Sequence, residues 1–153
     1  MTIGSTTVLT NGILPYAVWN GVDFATHNTG VVGGYASYAA DDYASSANNV
    51  NVTVAAPAPA TFGVNSLAFR TAQASSFALT GANTTGAILV GSNVGANATL
   101  IAGATSGDTL QGTVGGELIV QQYNTDPAGA LTISAGIVNN GTATALVKAG
   151  PAR

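Results

Sequence analysis

From Phe62 to Lys148 the chain repeats one local pattern, a short apolar run followed by Gly, Asn or another turn-forming residue. Eight such runs stand at residues 64–69, 77–80, 87–90, 99–102, 109–114, 117–120, 131–134 and 145–148. Their central leucines, at 67, 79, 89, 100, 110, 118, 131 and 146, are 12, 10, 11, 10, 8, 13 and 15 residues apart. Runs this short, with β-branched residues inside and turn chemistry between, predict strands. Helix is further disfavoured, because Glu, Lys, Arg and Gln are scarce while Gly, Asn, Thr and Ser abound.

Many short strands at such spacing build either an antiparallel sandwich or barrel, or a β-solenoid in which successive coils stack like on like. Charge decides between them. Of 153 residues only nine are ionised at neutral pH: Asp23, Asp41, Asp42, Asp108, Glu117 and Asp126 against Arg70, Lys148 and Arg153. That is 6%, against roughly 25% in an average soluble domain. An antiparallel sandwich with one wet face carries Lys, Glu and Arg on its outward positions. A stacked coil places equivalent side chains about 4.8 Å apart, where like charges repel and Asn or Thr can hydrogen-bond along the ladder. Ala, Thr, Gly, Asn and Ser make up 91 residues here. The sequence therefore predicts an all-β chain, a parallel β-helix forming one domain over residues 1–153.

The first half is less regular. Residues 6–10 read as a strand and Asn11-Gly12 as a turn. Residues 13–19 are apolar but contain Pro15, which suits an edge or a coil corner. Asn20-Gly21 turns the chain again, residues 22–26 resume it, and Gly30 to Gly34 follow. The Ala-rich stretch 35–47, with Tyr35, Tyr38 and Tyr43, predicts a loop or short helical excursion from the coil. Strand chemistry returns at 50–54, and Pro57 and Pro59 then bend the connection.

Several function classes fall away on these grounds. Three cationic side chains cannot neutralise a run of phosphates, so no nucleic-acid partner is expected. With no Cys, disulfides and thiolate metal sites are absent. The start of the chain lacks the basic and apolar regions of a signal peptide, and the uncharged stretch 43–69 is too interrupted by Asn and Pro to span a bilayer. A hydrophobic content of 46% argues for a folded chain rather than a disordered one.

Two groups of residues carry a family likeness. The first is Thr10-Asn11-Gly12-Ile13-Leu14-Pro15-Tyr16-Ala17, then Asp23-Phe24-Ala25-Thr26, then Asn49-Val50 leading to Val64-Asn65-Ser66-Leu67. The second is Ala130-Leu131-Thr132-Ile133-Ser134 with Leu146-Val147-Lys148-Ala149-Gly150. Together they resemble the passenger regions of autotransporter-associated β-strand repeat proteins. The resemblance implies a secreted or surface-exposed bacterial protein on a right-handed parallel β-helix, with no catalytic motif to carry over. Members of that family are long, so the chain is expected to be a segment or a repeating unit.

Candidate sites were weighed on the same residues. His27 is the only imidazole, in a turn-like context that suits a surface residue better than a catalytic one. Asp41 and Asp42 with Asp23 offer oxygens for Ca²⁺, though no calcium-binding repeat motif is present. Asp108, Glu117 and Asp126, nine residues apart, are the candidate pair for glycoside cleavage if adjacent coils bring two together. Gly33-Gly34 and Gly115-Gly116 read as turns, since no Gly-Lys-Ser/Thr follows. Sequons at Asn51, Asn83, Asn97 and Asn140 are expected by chance at this Asn and Thr content. Tyr35, Tyr38 and Tyr43 form the most suggestive cluster, because Tyr buries area while keeping a polar tip.

Neither end shows an amphipathic cap, so Val8, Leu9, Leu146 and Val147 join the tyrosines as candidate interface residues. The expected role is structural and non-enzymatic, in an extracellular bacterial fibre or surface structure. Its partners would be copies of itself or flanking repeats, and no cofactor, metal or membrane insertion is expected. The alternatives are a glycan-binding or glycan-cleaving surface module, and a passenger stalk that displays an adhesin.

Overall fold

Three two-residue turns, Asn11-Gly12, Asn20-Gly21 and Thr29-Gly30, have positive φ at both positions: 47° and 87°, 51° and 72°, 49° and 85°. Such paired left-handed residues make the tight loops that join antiparallel neighbours, and a parallel crossover cannot be made with so few residues. The structure is a computed structural model, and it describes residues 9–113 and 116–151. In it the last two turns link β1 (Leu14–Trp19), β2 (Asp23–Asn28) and β3 (Val31–Gly34) into an antiparallel meander. The expectation of parallel coils therefore does not extend to residues 14–34. Turn geometry overrides it there. The predicted strand over 6–10 falls largely outside the described residues.

After the meander every strand pairing is parallel. The strands are β4 (Ala39–Ala40), β5 (Asn49–Val52), β6 (Gly63–Phe69), β7 (Ser75–Leu79), β8 (Ala82–Val90), β9 (Thr99–Gly103), β10 (Thr109–Gln111), β11 (Glu117–Gln122), β12 (Leu131–Ile133), β13 (Gly136–Val138) and β14 (Ala145–Ala149). The large sheet runs β13-β10-β8-β6-β5-β4, with β11 joining β8 to β14, and a smaller sheet runs β12-β9-β7. The chain alternates between them: β7, β9 and β12 belong to the small sheet, and the strands on either side of each belong to the large one. The first half of β8 pairs with β10 and its second half with β11. The fold is all-β with mostly parallel sheets.

Register is kept by columns of equivalent side chains. Val50, Leu67, Ile88 and Val120 occupy one column, separated by 17, 21 and 32 residues, and Lys148 ends it 28 residues later. The intervening loops vary in length while the column does not, so side-chain fit and not coil length fixes the pairing. Successive residues point to opposite faces, and both faces of the large sheet are covered. Leu67, Phe69, Ile88, Val90, Leu118 and Val120 pack with Phe77, Leu79 and Ile101 of the small sheet. Ala68, Ala87, Leu89 and Ile119 pack instead against Ile13 and Phe24 of the meander side. Continuous apolar runs such as 87–90 and 117–120 are the expected signature of parallel strands buried on both sides.

Buried amides lock the layers. Asn49 Oδ1 accepts from Asn65 Nδ2 at 2.6 Å and from Ser66 Oγ at 2.8 Å. Asn49 Nδ2 donates to the Asn11 carbonyl at 2.7 Å, and Gln121 Nε2 donates to that of Pro15 at 3.0 Å. Both side chains are within 2% of complete burial, and their partners lie in or just before the meander. Each buried polar group thus has a partner that a shifted register would remove.

Two details depart from the sequence reading. Residues 35–47 contain no helix; the excursion is a loop that contributes the short strand β4. Strand β13, with all three residues exposed, has no apolar periodicity to announce it and is held only by its edge pairing to β10.

Ile88→Ala empties a fully buried site. It is expected to lower the unfolding free energy by about 2–5 kcal/mol. Asn49→Ala strands its partners and is expected to cost about 1–3 kcal/mol. Val31→Ala, on a side chain 69% exposed, is expected to stay within about 0.5 kcal/mol. Urea unfolding followed by circular dichroism measures all three, and equal losses at Ile88 and Val31 would contradict the packing.

Candidate functional site

The tyrosines turn inward. Tyr35 and Tyr38 stack edge to face with centroids 4.9 Å apart and pack against the cluster beneath the meander. The Tyr38 hydroxyl accepts the Phe24 backbone N–H at 3.0 Å. The Arg70 guanidinium lies 4.3 Å from the Tyr38 ring centroid and also pairs with the Asp23 carboxylate. Arg70 follows β6 directly and Asp23 opens β2, so this group clamps the meander to the large sheet. Burial pushes the Tyr38 phenol up from the usual 10.0 to about 12.

Tyr43 has a different neighbourhood. Its ring lies 5.6 Å from those of Phe62 and Phe77, at the β4 end of the main core. Burial, reinforced by the Asp41 carboxylate, raises its phenol above the ordinary range. Asp41 Oδ1 accepts backbone N–H groups from Thr53 at 3.0 Å and Val54 at 3.4 Å, and Oδ2 accepts the Thr53 hydroxyl. Asp41 is thereby committed to donors just past β5. Asp42 closes a local turn by accepting the Ala44 N–H at 3.0 Å. With Asp23 on Arg70, the three carboxylates of the calcium hypothesis each have a different partner. Among the described residues no three His, Cys, Asp or Glu side chains gather as a metal site.

The other acids are also tied locally. Asp108 accepts from Gly81 N at 2.7 Å, Thr105 N at 2.7 Å and Thr105 Oγ1 at 2.8 Å. These bonds, the Gly81 one foremost, hold its carboxyl below the usual carboxylate range. Asp126 accepts the Ala128 N–H at 2.9 Å, and Glu117 borders a cleft of about 380 Å³ with Tyr16 and Asn65. His27 lies within β2 opposite Val32, not in the turn that follows. Of the sequon amides, Asn83 is fully buried and donates to the Gly81 carbonyl at 2.8 Å.

The ends of the parallel sheets differ. At the β4 end the free edge is two residues long, Asp41 covers nearby donors, and Tyr43 seals the aromatic core. The adjoining segment carries Pro57 and Pro59, which have no N–H to offer. At the opposite end β12, β13 and β14 each pair on one side only. They surround an apolar groove of about 440 Å³, lined among others by Val120, Leu131, Ile133, Ile137 and Leu146, with Lys148 as its one charged residue. Leu146 is 56% exposed, Ile137 39% and Val138 37%. Val147 faces the other way and packs on the meander-side cluster. Leu9 is half-buried, and Val8 lies outside the described residues.

The sequence pointed to Leu146 in this region but missed Leu131, Ile133, Ile137 and Val138 as one surface, since only strand order brings them together. It also missed the Asp23–Arg70 clamp. A single Arg at the end of an apolar run was the available signal. Compared with known proteins, the chain matches no family model, no curated protein and no solved structure.

The tyrosine environment sets an alkaline limit. Unfolded tyrosines ionise near pH 10, whereas the folded chain keeps Tyr38 neutral, so this contribution is whole below about pH 10 and is lost as pH rises toward about 12. Asp108 acts in the opposite sense, its contribution present above about pH 4 and lost as pH falls below that. Urea midpoints across pH are expected to show both limbs. Tyr38→Phe should flatten the alkaline limb and Asp108→Asn the acid one; limbs unchanged in both variants would refute these assignments.

Proposed function

We propose that the chain is a structural, non-enzymatic rod segment of a bacterial extracellular or surface structure, and that it is extended axially at the β12–β14 end. On this reading the two parallel sheets are faces of a right-handed β-solenoid of the autotransporter-associated repeat type. The alternation of the chain between the sheets and the constant column from Val50 to Val120 support that architecture. The near absence of charge suits stacking, because neighbouring coils place like residues over like.

The observation that carries the reading is the unfinished end. Three strand edges with unpaired backbone groups around an apolar groove form a template for further strands, and soluble proteins ordinarily blunt such edges. The glycan-module alternative draws less support: Tyr38 is engaged by Phe24 and Arg70, and Asp108 by backbone. The stalk alternative requires the same rod and differs only in what it carries.

Electron microscopy and analytical ultracentrifugation of the purified chain test the proposal. End-to-end association is expected, and the double variant Ile137→Lys, Leu146→Lys should remain a 14.9 kDa monomer with unchanged circular dichroism. Non-associating particles at every concentration would remove axial assembly. Glycan binding or hydrolysis abolished by Asp108→Asn would favour the rival module.

A further inference from the structure

We infer that the partner at the open end is a second copy of this chain, joined tail to tail about a twofold axis so that the rod doubles and stops. The inference rests on the axial reading above and narrows it. A head-to-tail contact would need the β4 end to receive three strands. That end offers a two-residue edge, a carboxylate already accepting from Thr53 and Val54, and two prolines. The Ala55 and Pro57 carbonyls there already accept from Ser76 at 2.7 Å and Ala78 at 2.9 Å. The surface of a copy that does present free strand edges and exposed apolar side chains is the β12–β14 end itself. Contact between identical surfaces is twofold, and the symmetry brings like edges together antiparallel.

Strand β14 fixes a register. Pairing centred on Val147 engages all five residues from Ala145 to Ala149 and sets Leu146 of one copy opposite Lys148 of the other. Centring on Lys148 would set ammonium against ammonium, and centring on Leu146 would leave Ala149 beyond the paired stretch. In the Val147 register the two lysines are diagonal neighbours, a separation of about 7–8 Å that long side chains span. Lys148 Nζ donates to the Pro151 carbonyl at 3.1 Å, which holds the charge at the rim of the groove. Leu146 and Ile137 then lose the solvent exposure that no other part of the described chain relieves.

The lysine pair makes the contact testable. Two like charges near the axis mean that added salt should tighten the wild-type dimer, where most charged contacts loosen. Lys148→Glu alone should dimerise about as weakly as wild type at low salt, and an equimolar mixture of the two should form heterodimers several-fold tighter than either parent. Sedimentation equilibrium with one chain fluorescently labelled reads this directly, and circular dichroism checks that the exposed substitution leaves the fold intact. Chains longer than two copies, a dimer loosened by salt, or no preference in the mixture would overturn the twofold contact and leave axial assembly standing. A strict monomer in all samples would remove both.

Discussion

The large parallel sheet is buried on both faces, and the rest of the structure depends on that. One face meets the small sheet through Leu67, Ile88 and Val120, and the other meets the meander through Ala68, Leu89 and Ile119. A strand sandwiched in this way has no wet face for charged residues. That is the physical reason why so few occur, and why small polar residues supply the hydrogen bonds that remain. Asn49, Asn65 and Gln121 pin register in an interior where an unpaired amide would be costly. The meander covers what would otherwise be an exposed apolar face, and the Asp23–Arg70–Tyr38 group fastens it there.

Directionality follows from how the two ends are finished. Tyr43, Asp41 and the two prolines close one end with a ring, a carboxylate and missing donors. The other end has no such device except Lys148, which terminates a column that is apolar in every earlier strand. A single ammonium at the rim discourages promiscuous edge pairing without preventing a registered one. The tyrosines thus serve the internal packing of the rod, and its contact chemistry lies at strands of Leu, Ile and Val.

Much of the strand content was legible in the sequence. Runs such as 64–69, 87–90 and 117–120 became strands because their length and β-branched content matched burial in a sheet. Asn11-Gly12 and Asn20-Gly21 were readable as turns, but their consequence was not. Their paired positive φ values make antiparallel hairpins of a region that composition alone assigned to parallel coils. The polar start of β8, where Asn83 and Thr85 are buried, and the exposed β13 were hidden because neither has apolar periodicity. Among the candidate site residues, Leu146 was found and its companions were not. Surfaces assembled from residues 131, 137 and 146 have no local signature.

By itself the sequence determined that the chain would be β-rich, nearly uncharged and suited to stacking, because those properties follow from composition and from short-range turn chemistry. Tertiary structure decided which strands run parallel, which face each residue serves and which end stays open. Those outcomes depend on pairings between residues 17 to 32 positions apart in the chain, whose free energies no local pattern encodes.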